Sequence, residues 1–411
     1  MDHGEIAEDF LERVCHRIFG CDFIMRSPVL HEESGDKELT DILVNLDDTL
    51  VSIQSKSMEA ELEAIDEVVL GRIKKRYSNA KSQLGTTLNA HMRNSPVSGC
   101  TPLGIRINLD WDSVIKKHGI VTLHLSDALY SDPESRFQIP YAIEQYKDIV
   151  VHTFLMNDLS VMQQELFSAG DFLRYLEVRE KIWRKQGNFL VANELDLLAI
   201  YKYKYDTIEA YLNGEVDFIA IEPGMWEHYN KNHRDTIDER NKRFGKSIYV
   251  EQIIRELHKS VQYIVDTQGV DYMESASGYM SIIGKLGKLT RLERTEIGET
   301  IEQKLEKTKT CTQGYFARYF PRLGIGYIFL IINSDDREMR VGFLMALAEQ
   351  LSRRLECNEI LGIAFDGLQM KTSCIDAALF DGDTLRNSSP TPGIGDLFGD
   401  QEFERKTEWD S

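Results

Sequence analysis

In the N-terminal part of the chain the spacing of apolar residues changes period from helical to alternating. From residue 4 to 19, Ile6, Phe10, Val14 and Ile18 recur every fourth position with Ala7 and Leu11 beside them, which predicts an amphipathic helix flanked by Glu5, Glu8 and Glu12. Residues 21–30 read as a short strand ending near Ser27-Pro28, and 31–36 as a polar turn. Two apolar runs between Glu38 and Ser57, joined by Leu46-Asp47-Asp48-Thr49, then predict an antiparallel hairpin. Strand side chains alternate between faces, so Gln54 and Lys56 share one face, and Asp41 at the start of the first strand lies beside the far end of the second.

Residues 59–88 carry a helical pattern, acidic at first and basic later, and 94–103, with two prolines and a glycine, reads as loop. Residues 105–109 and 120–125 predict further strands, so a first domain over 1–150 is expected, α/β with a mixed central sheet flanked by helices. A helical middle region, 151–265, includes helices at 169–179, where Asp171 is the expected cap, and at 194–212. Residues 327–332, 337–355, 360–365 and 374–380 read strand, helix, strand, strand, which makes 266–385 a small C-terminal α/β unit. The remainder, 386–411, has the composition of a disordered acidic tail, with Leu397, Phe398 and Phe403 the residues on which a partner-binding peptide would be built.

Composition narrows the function classes. The 411 residues are 42% hydrophobic and 28% charged, as in globular proteins, and the acidic first twenty residues do not resemble a secretory signal, so a cytoplasmic location is expected. The six cysteines show no Cys-x-x-Cys pair, which disfavours zinc and disulfides. No His-Glu-x-x-His, Gly-x-Ser-x-Gly or phosphate-loop pattern occurs, leaving each histidine as an ordinary core or surface residue. The net charge of −19 opposes general attraction to a polyanion, but it is unevenly distributed. Residues 71–100 hold six bases (Arg72, Lys74, Lys75, Arg76, Lys81 and Arg93) and no acid, whereas 381–411 hold eight acids against three bases. A locally basic surface is therefore available to phosphates, with Tyr77 and His91 beside it and a second basic stretch at 285–294.

Phosphodiester hydrolysis calls for a hard divalent cation, and such ions take oxygen ligands. Asp41 and an acid on the first helix supply them, and Gln54 adds a neutral carbonyl oxygen. Lys56, on the face of Gln54, is placed to orient the attacking water and to stabilise charge on the phosphate. This order, helix Glu8, strand Asp41, then Gln54-x-Lys56 after twelve intervening residues, resembles the PD-(D/E)xK nuclease superfamily in its Gln-x-Lys branch. The resemblance covers roughly residues 1–95. It departs from the fullest pattern in having Thr40 where proline is usual and Gln54 where an acid is usual, while Glu5, Asp9 and Glu12 stand within one or two turns of Glu8.

The resemblance implies a restriction-endonuclease-like fold and Mg²⁺ or Mn²⁺ held by Glu8, Asp41 and Gln54. It implies Lys56 as a fourth catalytic residue, DNA as substrate, and a helix-borne glutamine, matched by Gln83, facing the site. By analogy it also implies a host-defence effector gated by another input, with a homo-oligomer or a regulatory protein partner engaged through residues 157–411. The competing class is a non-catalytic module that keeps this fold to bind nucleic acid or a protein. A third is an assembly subunit oligomerising through its helical middle.

Overall fold

A computed structural model describes residues 3–57, 67–104, 106–125, 143–187, 193–268, 273–308, 313–332, 336–365, 375–388 and 397–398. The chain forms two compact units, residues 1–242 with 287–291, and 243–286 with 292–411. The break therefore falls at 242/243 and not at the expected 150 and 265, because helices of the middle region close over the first unit's sheet. Both units combine helices with sheet, a mixed α/β architecture.

The first unit opens with α1 (His3–Phe19), followed by β1 (Ile24–Arg26), β2 (Val29–Leu30), β3 (Lys37–Glu38), β4 (Ile42–Leu46), β5 (Thr49–Ser57) and α2 (Glu67–Met92). The expected beginning of α2, 59–66, lies outside the described residues. Next come β6 (Val97–Cys100), β7 (Arg106–Asn108), β8 (Lys116–His124), β9 (Ile143–Tyr146) and β10 (Ile149–Leu155). The helices α3 (Met156–Met162), α4 (Ala169–Gln186), α5 (Glu194–Tyr203), α6 (Tyr205–Asn213) and α7 (Met225–Arg243) follow.

Strands order β1-β4-β5-β8-β10-β9 in a six-stranded sheet, and β3-β2-β6-β7 form a smaller one. The β5–β8 and β8–β10 pairings are parallel and the rest of the larger sheet is antiparallel, a mixed sheet as expected. The hairpin forms with Ile42 opposite Ile53, and Asp47 takes a left-handed φ of 56° in its turn. Lys288 ties this turn down, pairing with Asp47 at 3.0 Å and with Asp48.

Register assigns the two faces of the larger sheet. Gln54 pairs with Val121 and Lys56 with Leu123, and those apolar residues pack with Val151 against Ile73, Ala80, Leu84 and Leu88 of α2. Burying each such side chain contributes about 1.5–3 kcal/mol. Gly119 lets α2 approach, since a Cβ there would lie 3.0 Å from Leu84 Cδ1 and 2.8 Å from Ile149 Cδ1. On the opposite face, Phe172 of α4 packs edge-on against Phe19 of α1 and reaches Phe154 of β10. The first unit is thus a helix–sheet–helix sandwich.

Four expectations change. The supposed loop at 94–103 contains β6, which pairs with β2 and β7, so two prolines flank a strand that includes the glycine. Strands β9 and β10 fall where none was expected. The helix expected over 194–212 is two, broken at Lys204. Ser168, not Asp171, caps α4, its hydroxyl accepting from the Asp171 N–H at 3.1 Å.

The second unit contains α8 (Ile248–Gln268), α9 (Met273–Gly287), α10 (Arg291–Thr308), β11 (Gln313–Phe320), β12 (Ile325–Ile332), α11 (Arg337–Leu355), β13 (Glu359–Phe365), β14 (Ile375–Asp381) and α12 (Gly382–Asn387). Its sheet runs β11-β12-β13-β14, one strand more than expected, because β11 pairs antiparallel with β12. Leu344, Leu347 and Leu351 of α11 pack on it beside Phe398. The residues expected to begin a disordered tail are thus partly ordered. Arg386 and Asn387 end α12, Phe398 is 2% exposed, and Gln350 accepts from the Leu397 N–H at 2.8 Å. The other tail residues from 389 on, Phe403 included, lie outside the described residues. Among the described residues no helix is long and apolar enough to cross a membrane.

Candidate functional site

The candidate site lies where β4 begins and β5 ends, the carboxyl end of two parallel strands, since β5 and β8 finish together at Ser57 and His124. Asp41 immediately precedes β4, and its Oδ2 accepts the Ser55 N–H at 2.6 Å. Burial is the main influence on this carboxyl and pushes it up to about 6. The Ser55 bond and the Lys56 charge oppose that, and the charges of Glu8 and Glu38 add to it. Lys56 is half-buried and, among the described residues, forms no ion pair.

On α1, Arg26 separates the candidate acids. It pairs with Asp9 at 2.7 Å and Glu12 at 2.8 Å but lies 3.8 Å from Glu8. Glu8 is raised above the usual carboxylate range by partial burial and then by Glu38, with Arg26 and Lys56 opposing. Glu8 is thus the acid of this group that feels Lys56 and acts on Asp41, whereas Asp9 and Glu12 are committed to Arg26. The Glu5 side chain lies outside the described residues.

Glu38 was assigned no role from sequence, although it stands three residues before Asp41. Its Oε1 accepts from Ser27 Oγ at 3.1 Å, while the Ser27 N–H donates to the Asp41 carbonyl at 2.9 Å. Ser27, at a left-handed φ of 45°, therefore links the two acidic positions.

Gln54 is only 1% exposed. Thr40 Oγ1 donates to the Ile53 carbonyl at 2.9 Å, so it must accept from its other neighbours, Ser52 Oγ at 3.0 Å and Gln54 Nε2 at 3.1 Å. This fixes the amide: the nitrogen faces Thr40, and Oε1 is left buried without a partner among the described residues. Proline at position 40 would remove that hydroxyl. A buried carbonyl oxygen with no partner among the described residues is a ligand type that an oxygen-preferring cation accepts.

The basic residues of α2 divide by face. Arg76 donates to the Ser57 carbonyl and Thr87 lies 3.1 Å from Ser52 Oγ, which identifies the flank facing β5. Helical spacing places Arg72 and Gln83 on that flank, both exposed. Lys74 and Lys75 are exposed as well, and among the described residues no acid pairs with Arg72, Lys74 or Lys75. Lys81 lies on the other flank, paired with Glu144 at 3.0 Å, and Tyr77 is buried with its hydroxyl on the same carboxylate. Neither reaches outward. His91 packs edge-on against Trp111. The second basic stretch, 285–294, is largely committed elsewhere: Lys285 pairs with Glu359 at 2.9 Å, Lys288 holds the hairpin turn, and Arg294 is buried.

Compared with known proteins, the chain matches no family model, no curated protein and no solved structure.

Proposed function

We propose that the chain is a metal-dependent nuclease of the PD-(D/E)xK type acting on DNA, with a restriction-endonuclease-like first unit. Glu8, Asp41 and the Gln54 carbonyl oxygen would hold Mg²⁺ or Mn²⁺, and Lys56 would orient the hydrolytic water. The observation that carries this reading is an ammonium with no ion pair among the described residues, which acts with Glu8 and Glu38 on the Asp41 carboxyl and stands two residues from Gln54. A bound divalent ion supplies charge screening at the scissile phosphate and a more acidic water. The chain's own contribution is positional. Ser55 holds one oxygen of Asp41, Thr40 holds the amide nitrogen of Gln54, and Lys56 donates to the water or to a phosphate oxygen.

Arg72, Lys74, Lys75 and Arg76 would guide the phosphodiester backbone, with Gln83 on the same flank as Arg72 and Arg76. The reading carries with it a cytoplasmic defence effector whose cutting is gated by another input. Plasmid and linear DNA incubated with the purified protein and Mg²⁺, Mn²⁺ or EDTA provide the test. Cleavage that requires metal and is lost in Lys56→Ala is expected. Equal cleavage by Lys56→Ala would refute the site, and DNA binding without cleavage in any metal would favour the non-catalytic module.

A further inference from the structure

On the face of the larger sheet opposite α2, two histidines from neighbouring strands meet a glutamate from α4. Strands β8 and β10 are parallel with Val150 beside His118, so His152 lies one same-face position further on. Their ring centroids are 5.8 Å apart, and one ligand-capable atom from each of His118, His152 and Glu180 falls within 4.8 Å of the others. His118 is 7% exposed and His152 is fully buried, yet among the described residues His118 Nδ1 and His152 Nε2 have no hydrogen-bond partner. Leaving two such atoms dry in a folded interior is costly, and the closeness of the three side chains points to a shared occupant. Glu180 forms its rim. Arg184 contacts only Oε1, at 2.6 and 2.8 Å, so Oε2 remains for a further contact.

We propose that His118, His152 and Glu180 bind a divalent transition metal of the zinc class, which fastens α4 to β8 and β10. Two imidazoles and one carboxylate suit such an ion better than Mg²⁺, which prefers oxygen alone. Arg179 sets the state before uptake. Its Nη1 donates to His152 Nδ1 at 3.2 Å, so the neutral ring carries its proton on Nε2. Metal binding at Nε2 moves that proton to Nδ1 and costs Arg179 this one contact. The guanidinium keeps Glu194, at 2.9 to 3.2 Å, and the Thr153 carbonyl. After burial, the Arg179 charge is what most disfavours positive charge on His152, so the Glu180 carboxylate is the ligand that must offset it.

The test is a Zn²⁺ titration of chelator-stripped, full-length protein, with bound metal measured by elemental analysis and Co²⁺ as a spectroscopic probe. One bound equivalent is expected to weaken by about a hundred-fold in Glu180→Gln, a partly exposed position that leaves the fold intact, and to persist in Asp41→Asn. His118→Gln and His152→Gln should abolish it, as well as the Co²⁺ absorption of a histidine-ligated centre. Equal binding by Glu180→Gln and the unaltered chain would overturn the proposal. So would an equivalent lost only in Asp41→Asn, or no stoichiometric zinc at all.

Discussion

Asp41 and Thr40, adjacent in sequence, govern two different properties of the site. The folded chain holds the Asp41 proton up to about pH 6, whereas an unfolded aspartate releases it near 3.8. Between these values the folded state binds more protons, so Asp41's contribution to stability is full below about pH 4 and is lost as pH rises through about 6. Asp41→Asn should flatten the stability profile over that window by about 3 kcal/mol, measured by urea unfolding at a series of pH values. If its ionised form holds the metal, DNA cleavage should rise over the same interval. Thr40→Val strands the Gln54 amide nitrogen, while Ser52 keeps Thr87, and should cost about 1–3 kcal/mol in the same unfolding measurement. Asp41 and Lys56 were legible because alternation alone places them at one strand end. The free end of Gln54 was not, since it depends on the direction of a hydroxyl bond, and Glu38 was missed because only the Ser27 turn folds it toward Asp41.

Helix α2 and the layer opposite it show what an element contributes. Arg72 and Lys75 are exposed, whereas Lys81 is committed to Glu144. Charge reversal at Arg72 or Lys75 should weaken DNA binding and reduce the slope of log affinity against log salt by about 1 per contact, read by fluorescence anisotropy across a salt series. Lys81→Ala should leave that slope unchanged. Across the sheet, Arg179 and Glu194 are fully buried partners joining α4 to α5. Glu194→Ala leaves a buried, uncompensated guanidinium and should cost about 3–5 kcal/mol, measured by denaturant unfolding. The amphipathic α1 and the hairpin were readable because each leaves one face wet. Strand β10 was not, as all seven of its residues are buried and offer no alternation, so it merged with the helices after it. The His118–His152 pair was invisible for a related reason, since only the parallel register of β8 and β10 brings two distant positions together.

Across the whole molecule, a net charge of −19 coexists with a basic helix flank beside the candidate site, so binding to DNA would be local and strongly salt-dependent. Length and composition pointed to more than one domain, but the break at 242/243 was hidden because helices of the middle region belong to the first sheet's own layers. Leu397 and Phe398 likewise looked like part of a free tail until the hydrophobic core of the second unit accounted for them. The central assignment, a metal held by Glu8, Asp41 and Gln54 beside Lys56, is tested most directly by diffraction from a crystal soaked in Mn²⁺, with anomalous signal recorded at the manganese edge. A peak within coordination distance of Asp41 and Gln54 Oε1 is expected. Manganese bound elsewhere, with the Asp41 carboxylate bare at a pH where it is ionised, would contradict it.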